Sequence, residues 1–180
     1  VDYVISTQGL IQLIRETGIV FSEIEPEAVD MPFGSMSGGG VIFGVTGGVT
    51  EAVIRNISED KSMFQLRALE FDGVRGMEGT KEYTLHQGPK DIKIAVVSGL
   101  KNADNLIRKI KSGEVHYDLI EVMACPGGCI NGGGQPFTSY ENKVKRGEEL
   151  YSIDKMTSIK YSSANPEMAD LYNGILKGRS

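Results

Sequence analysis

Asp91-Ile92-Lys93-Ile94-Ala95-Val96-Val97-Ser98 is an apolar run of strand length, and the pattern of the next 25 or so residues decides the fold. Ala103, Leu106, Ile107 and Ile110 recur at helical spacing, with Gly113 where a C-terminal cap belongs. Residues 117–123 form a second apolar run. Strand, helix, strand predicts a βαβ unit, because parallel neighbours need a crossover of about a dozen residues or more. The predicted class is therefore α/β, a mixed and partly parallel sheet flanked by helices.

Working outward from that unit, residues 81–86 read as a further strand and 65–72 as an edge strand, since apolar and polar residues alternate there. Residues 3–6 read as a short buried strand. Thr7 reads as the cap of a helix whose apolar face is Leu10, Ile11, Leu13 and Ile14, ending near Gly18. Residues 21–40 hold prolines, acidic residues and glycines and read as loop. A helix is expected to begin near Gly48, with Ala52 and Val53 inward and Arg55 near its end. Helical character is expected again over 138–152 and after Pro166. No internal repeat or linker divides the chain, so one domain over 1–180 is expected.

Composition narrows the function classes. The 180 residues are 40% hydrophobic and carry a net charge of −5, which suits a compact core and gives a nucleic-acid partner no electrostatic support. The apolar stretch 41–49 is too short to span a bilayer, and no leader pattern is seen. A soluble, cytoplasmic protein is expected, and a first residue of Val1 suggests a processed or excised chain.

The only two cysteines, Cys125 and Cys129, lie just past the second strand of the βαβ unit, where sites form in open α/β sheets. A disulfide across so short a gap would stabilise little. Glycines 127, 128, 132, 133 and 134 surround the pair and permit close approach of backbone to a bulky group. The spacing by itself leaves open two free thiols in a turn, half a zinc site, or ligands to an iron–sulfur cluster. Zinc is disfavoured because His86 and His116 are the only further candidates of the usual soft or imidazole kind, and neither stands at paired-ligand spacing. A phosphate loop over 38–48 is disfavoured because no lysine comes after its glycines.

The longer string Glu121-Val122-Met123-Ala124-Cys125-Pro126-Gly127-Gly128-Cys129-Ile130-Asn131-Gly132-Gly133-Gly134-Gln135-Pro136 resembles the third cluster-binding signature of the iron-only ([FeFe]) hydrogenases. The block Gly39-Gly40-Val41-Ile42-Phe43-Gly44-Val45-Thr46-Gly47-Gly48-Val49-Thr50-Glu51-Ala52 is similar to that family's preceding glycine-rich segment. The opening, Asp2 to Thr7, resembles the strand-to-helix entry after the second signature, and Ser162-Ser163-Ala164-Asn165-Pro166 resembles a family Ser-His-Glu-Asn-Pro.

The resemblance implies the C-terminal lobe of a hydrogenase catalytic domain, a fragment whose N-terminal lobe is absent. The implied cofactor is a [4Fe-4S] cluster linked to a two-iron subsite with CO, cyanide and a bridging dithiolate. Cys125 matches the cysteine that binds only the cubane, and Cys129 the one that bridges cubane and two-iron subsite. Met123 matches a methionine packed on that subsite, Phe43 an aromatic lining the pocket, and Val49 an apolar residue on the gas-access side. For Met123 and Phe43 plain core packing is the alternative.

The implied activity is reversible reduction of protons to H2, with electrons from a ferredoxin-like partner. The family's first two signatures have no counterpart here, so half the cluster ligands are expected from the N-terminal half of the same domain. No general acid or base is assigned. Glu51 and Glu121, the glutamates nearest the motifs, are expected on the surface or at helix ends. The fragment alone is expected to be inactive. Thr50 stands where the family commonly has methionine and Ser163 where it has histidine. A non-catalytic relative for H2 sensing or iron–sulfur protein assembly is the alternative function.

Overall fold

The computed structural model describes residues 1–28, 34–58, 79–87 and 89–178. At its centre β1 (Thr80–Gln87) and β2 (Lys90–Ser98) form an antiparallel pair, with Gln87 opposite Lys90 and Thr80 opposite Val97. Helix α4 (Leu100–Lys111) then carries the chain over to β3 (Leu119–Met123), which lies parallel to β2 from the Ile94–Leu119 pair to the Ser98–Met123 pair. The sheet order is β1-β2-β3. The mixed, partly parallel sheet expected from the sequence is present, and Gly113, with φ +76°, ends the crossover helix as its position suggested.

Alternation along β2 splits the core in two. Ile94 and Val96 face one side with Ile54 and Leu85; Ala95 and Val97 face the other with Ala103 and Leu106 of α4. The helix supplying Ile54 is α3 (Gly48–Ile57). Burial on both faces is why β2 reads as an unbroken apolar run rather than an alternating one.

Three further helices surround this centre: α1 (Thr7–Glu16), α2 (Gly38–Val41) and α5 (Tyr140–Met156), with α6 (Pro166–Asn173) near the end. Ser6, not Thr7, caps α1: its hydroxyl accepts a hydrogen bond from the Gly9 N–H at 3.2 Å. The short Gly38–Val41 helix begins inside the segment expected as loop, 21–40, and ends one residue past it. Its glycines are poor helix formers, but tertiary bonds hold them, since Gly38 and Gly39 N–H donate to the Ile159 and Lys160 carbonyls at 2.8 and 3.1 Å. A Cβ on Gly38 would collide with the Asp154 carboxylate, so the close approach demands glycine.

Residues 3–6 differ from expectation. They form no strand, and Tyr3 and Val4 are about nine-tenths exposed (91% and 88%). An apolar run becomes a buried strand only when a sheet edge accepts it, and none of the described strands pairs with it. The stripe of α1 is real, but Leu10 and Leu13 are exposed. The expected strand at 65–72 lies outside the described residues. No helix among the described residues is long and apolar enough to cross a membrane.

Candidate metal centre

β3 ends at Met123, whose carbonyl accepts from the Gly99 N–H at 2.7 Å, and the chain turns directly into the cysteines. The turn closes on itself where Gly128 N–H donates to the Cys125 carbonyl at 2.9 Å. Gly127 and Gly128 take φ values of +88° and +89°, a region that side chains disfavour. The Gly127 N–H donates to the Ser98 hydroxyl at 3.0 Å, and its carbonyl accepts from Thr46 N–H at 3.2 Å. A Cβ on Gly128 would lie 2.7 Å from the Gly44 carbonyl oxygen and 2.9 Å from the Thr46 nitrogen. Main chain therefore meets main chain, and the two glycine-rich blocks of the sequence, 39–52 and 121–136, come together.

Beyond the turn, Cys129 opens a short 3-10 turn, Cys129–Asn131. Gly132 N–H donates to the Cys129 carbonyl at 3.0 Å, and the Asn131 amide donates to the Pro126 carbonyl at 2.9 Å. The next loop touches α1: Gln8 N–H donates to the Gly134 carbonyl at 3.0 Å, and the Gln8 side-chain amide donates to the Gln135 carbonyl at 2.6 Å.

Cys125 and Cys129 are free thiols, and both are exposed. Phe43, one residue before Gly44, is 46% exposed, so plain core packing does not describe it. Val49 and Met123 are half-buried. His86 pairs with Asp91 at 2.7 Å and His116 sits 3.7 Å from Asp118, both exposed. Among the described residues no group of three or more His, Cys, Asp or Glu could hold a metal ion. The donor set is two soft cysteine sulfurs on a glycine turn, which fits half of what an iron–sulfur cubane takes.

Behind the turn stand buried charges. Glu121 projects from β3 to the start of α3, where its two oxygens accept from Gly47 and Thr50 N–H, each at 2.6 Å. Gly47, the N-cap residue of α3, has no side chain to accept a bond, so a strand carboxylate does so and complements the helix dipole. Glu121 is thus helix-terminal but 7% exposed, not a surface group. Glu121→Gln presents an amide N–H₂ or a single oxygen to two donors. It is expected to lower the unfolding free energy by about 1.5–3 kcal/mol, read from the urea midpoint.

Glu51, fully buried, pairs with Arg55 at 2.5 Å, and Arg55 in turn grips Asp154 of α5 with two nitrogens at 2.8 and 2.7 Å. Burial alone would lower the Arg55 pKa, but the bonds and charges of Asp154 and Glu51 outweigh it and hold the guanidinium above its ordinary value. Glu51 thus stands at a helix end, in the first turn of α3, but is buried rather than on the surface. The Glu51–Arg55 spacing of four residues hints at a pair, but nothing local points to Asp154.

Two family models divide the chain. One described as the iron only hydrogenase large subunit, C-terminal domain, matches residues 1–133, and one described as the iron hydrogenase small subunit matches residues 140–179. The chain is 40% identical over 178 residues to the NADP-reducing hydrogenase subunit HndD of Solidesulfovibrio fructosivorans, covering 98% of this chain and 30% of that protein. It is 31% identical over 189 residues to cytosolic iron-sulfur assembly component 3 of Rattus norvegicus, covering 99% of this chain and 38% of that protein. The solved [FeFe]-hydrogenase structure HydA(deltaEFG) superposes with a TM-score of 0.69 at 31% identity, covering 98% of this chain and 52% of that one. The chain thus spans about a third of the length of these curated relatives.

Proposed function

The chain belongs to the iron-only hydrogenase large-subunit family, and from that membership we propose that residues 1–180 are one lobe of a hydrogenase-type catalytic domain. Cys125 and Cys129 are two of the thiolate ligands of its iron–sulfur centre. The observation that carries the reading is the pair of exposed, unpaired thiols on a turn of positive-φ glycines at the end of a parallel strand. Soft thiolates select iron–sulfur clusters, and the match of the two glycine blocks supplies the context.

In this reading Cys125 and Cys129 would both hold a [4Fe-4S] cluster, and Cys129 would also hold a linked two-iron subsite with CO, cyanide and a bridging dithiolate. When bound, that group supplies the redox chemistry that interconverts protons and H2. The chain's own residues hold and shield it. Phe43, Val49 and Met123 would give its surroundings apolar surface that excludes water, and the glycine turn would let backbone approach it closely. The remaining ligands come from the N-terminal half of the same domain, and a ferredoxin-like carrier exchanges electrons with the whole in the cytoplasm. No residue of this chain is assigned as general acid or base.

A second reading has a specific observation in its favour. The similarity to an iron–sulfur assembly component runs over 99% of the chain, as complete as the similarity to the hydrogenase subunit. Under that reading the same cysteines hold a cluster in a protein without H2 turnover, for assembly or for H2 sensing. A relay cysteine and a lysine upstream favour turnover; their loss favours the second reading.

The test is analysis of the full-length protein purified without oxygen. Iron, inorganic sulfide and infrared bands from CO and cyanide are expected; protein free of iron and sulfide refutes both readings, and iron and sulfide without those bands favours the second. The 180-residue chain alone is expected to evolve no H2 after anaerobic reconstitution, measured by gas chromatography, because half of the donor set is missing.

A further inference from the structure

The two halves of the cysteine turn are held by different parts of the chain. The upstream half, 126–128, is pinned from within the segment matched by the large-subunit model: Ser98 accepts from Gly127, Thr46 donates to Gly127, and Gly128 lies on the Gly44 carbonyl. The downstream half, which contains Cys129, is held at Gly134 and Gln135 by Gln8 of α1 and at Ile130 and Pro136 by α5, in the segment matched by the small-subunit model. There Arg146 donates one guanidinium nitrogen to the Ile130 carbonyl at 3.0 Å and the other to the Pro136 carbonyl at 3.2 Å. The Ile130 side chain, 6% exposed, lies over Gly147, where a Cβ would stand 3.5 Å from Ile130 Cδ1 and 3.8 Å from Val45 Cγ1.

We propose that the 140–178 segment acts as a clamp on the Cys129 side of the turn, with Arg146 as its positioning residue. The planar guanidinium spans two carbonyls that flank the Gly132-Gly133-Gly134 loop, a stretch with no side chain of its own to stiffen it. Glycine-rich backbone is costly to order, so an external fork across its ends shrinks the range of places that Cys129 can occupy. The Cys125 side does not depend on this fork. The segment in turn is anchored away from the turn by the Arg55–Asp154 pair and by the Ser163–Asn56 bond at 2.7 Å. Loss of Arg146 therefore loosens the turn without releasing α5. The functional consequence rests on the reading of Cys129 as a ligand; the clamp itself does not.

Hydrogen–deuterium exchange on the metal-free full-length protein tests the clamp whether or not iron ever binds. In Arg146→Ala the amides of Asn131 and Gly132, bonded to the Gly128 and Cys129 carbonyls, are expected to exchange about tenfold faster, the size of effect that losing bonds to a charged group predicts. The Gly128 amide and those of Val96 and Val97 in β2 are expected to stay within about twofold of the parent. R146K, whose ammonium is a single point charge rather than a fork, is expected to give a smaller acceleration with the same residue pattern, and it carries the test should Arg146→Ala fail to fold. Unchanged exchange at Asn131 and Gly132 overturns the proposal. Acceleration of all these amides together overturns it too, since Arg146 would then only stabilise the whole fold. Iron analysis of the loaded protein separately decides the ligand reading.

Discussion

Cys129→Ser in the full-length protein is expected to abolish the infrared bands of iron-bound CO and cyanide. In the proposed reading the two-iron subsite would be held through the sulfur of Cys129. A serine oxygen is a hard donor with an alcohol's pKa and does not replace a bridging thiolate. The substitution leaves the turn's architecture in place, because the bond that closes it runs from Gly128 N–H to the Cys125 carbonyl and the Cys129 carbonyl, not its side chain, accepts from Gly132 N–H. Serine is also close in size, and the thiol is exposed, so no core packing is lost. Loss of the bands with an unchanged far-ultraviolet circular dichroism spectrum is the expected pair of results. Bands at full strength in the variant would defeat the assignment of Cys129.

Arg55→Ala is expected to destabilise the fold more than Glu121→Gln or Arg146→Ala. Glu51 is fully buried and Asp154 is 4% exposed, and the guanidinium between them is what makes two carboxylates tolerable away from water. Removing it leaves uncompensated buried charge at a cost of about 3–5 kcal/mol. That is a large part of the total stability of an ordinary domain, about 5–15 kcal/mol. Replacing all three residues by apolar ones of similar volume is expected to cost far less, because the desolvation penalty goes with the charges. Urea unfolding of the single and triple variants separates the two effects. A loss below about 1 kcal/mol for Arg55→Ala would show that the network is solvated in solution.

The contrast between these two residues shows what the chain reveals without its structure. The βαβ unit is legible because its signals are local: an apolar run, a four-residue stripe and a glycine at the right place after it. So are α3 and α5, whose expected starts lie close to the observed ones, and the meeting of the two glycine blocks around Phe43 and Cys125 is implied by a resemblance in the string. Arg55 reads only as a residue near a helix end. Its partner Asp154 is 99 positions away, and no periodicity within either helix encodes that contact. Glu121 escapes for the same reason, since a strand side chain capping a helix 71 to 74 residues earlier leaves no pattern in either element. The α2 helix reads as loop because glycine's intrinsic preference opposes it, and only the distant Ile159 and Lys160 carbonyls reverse that preference. Residues 3–6 fail in the opposite sense: their β-type composition is real, but composition does not supply a neighbouring edge.

The joint between Gly128 and the 44–46 backbone is built without any side chain of its own. In the proposed reading, mutational drift at 43, 49 or 123 can therefore repaint the surroundings of the thiols while the joint between the two blocks keeps its shape. Diversification of chemistry and retention of scaffold are uncoupled at this spot, which makes those three positions the natural library sites for anyone wishing to retune the centre by directed evolution.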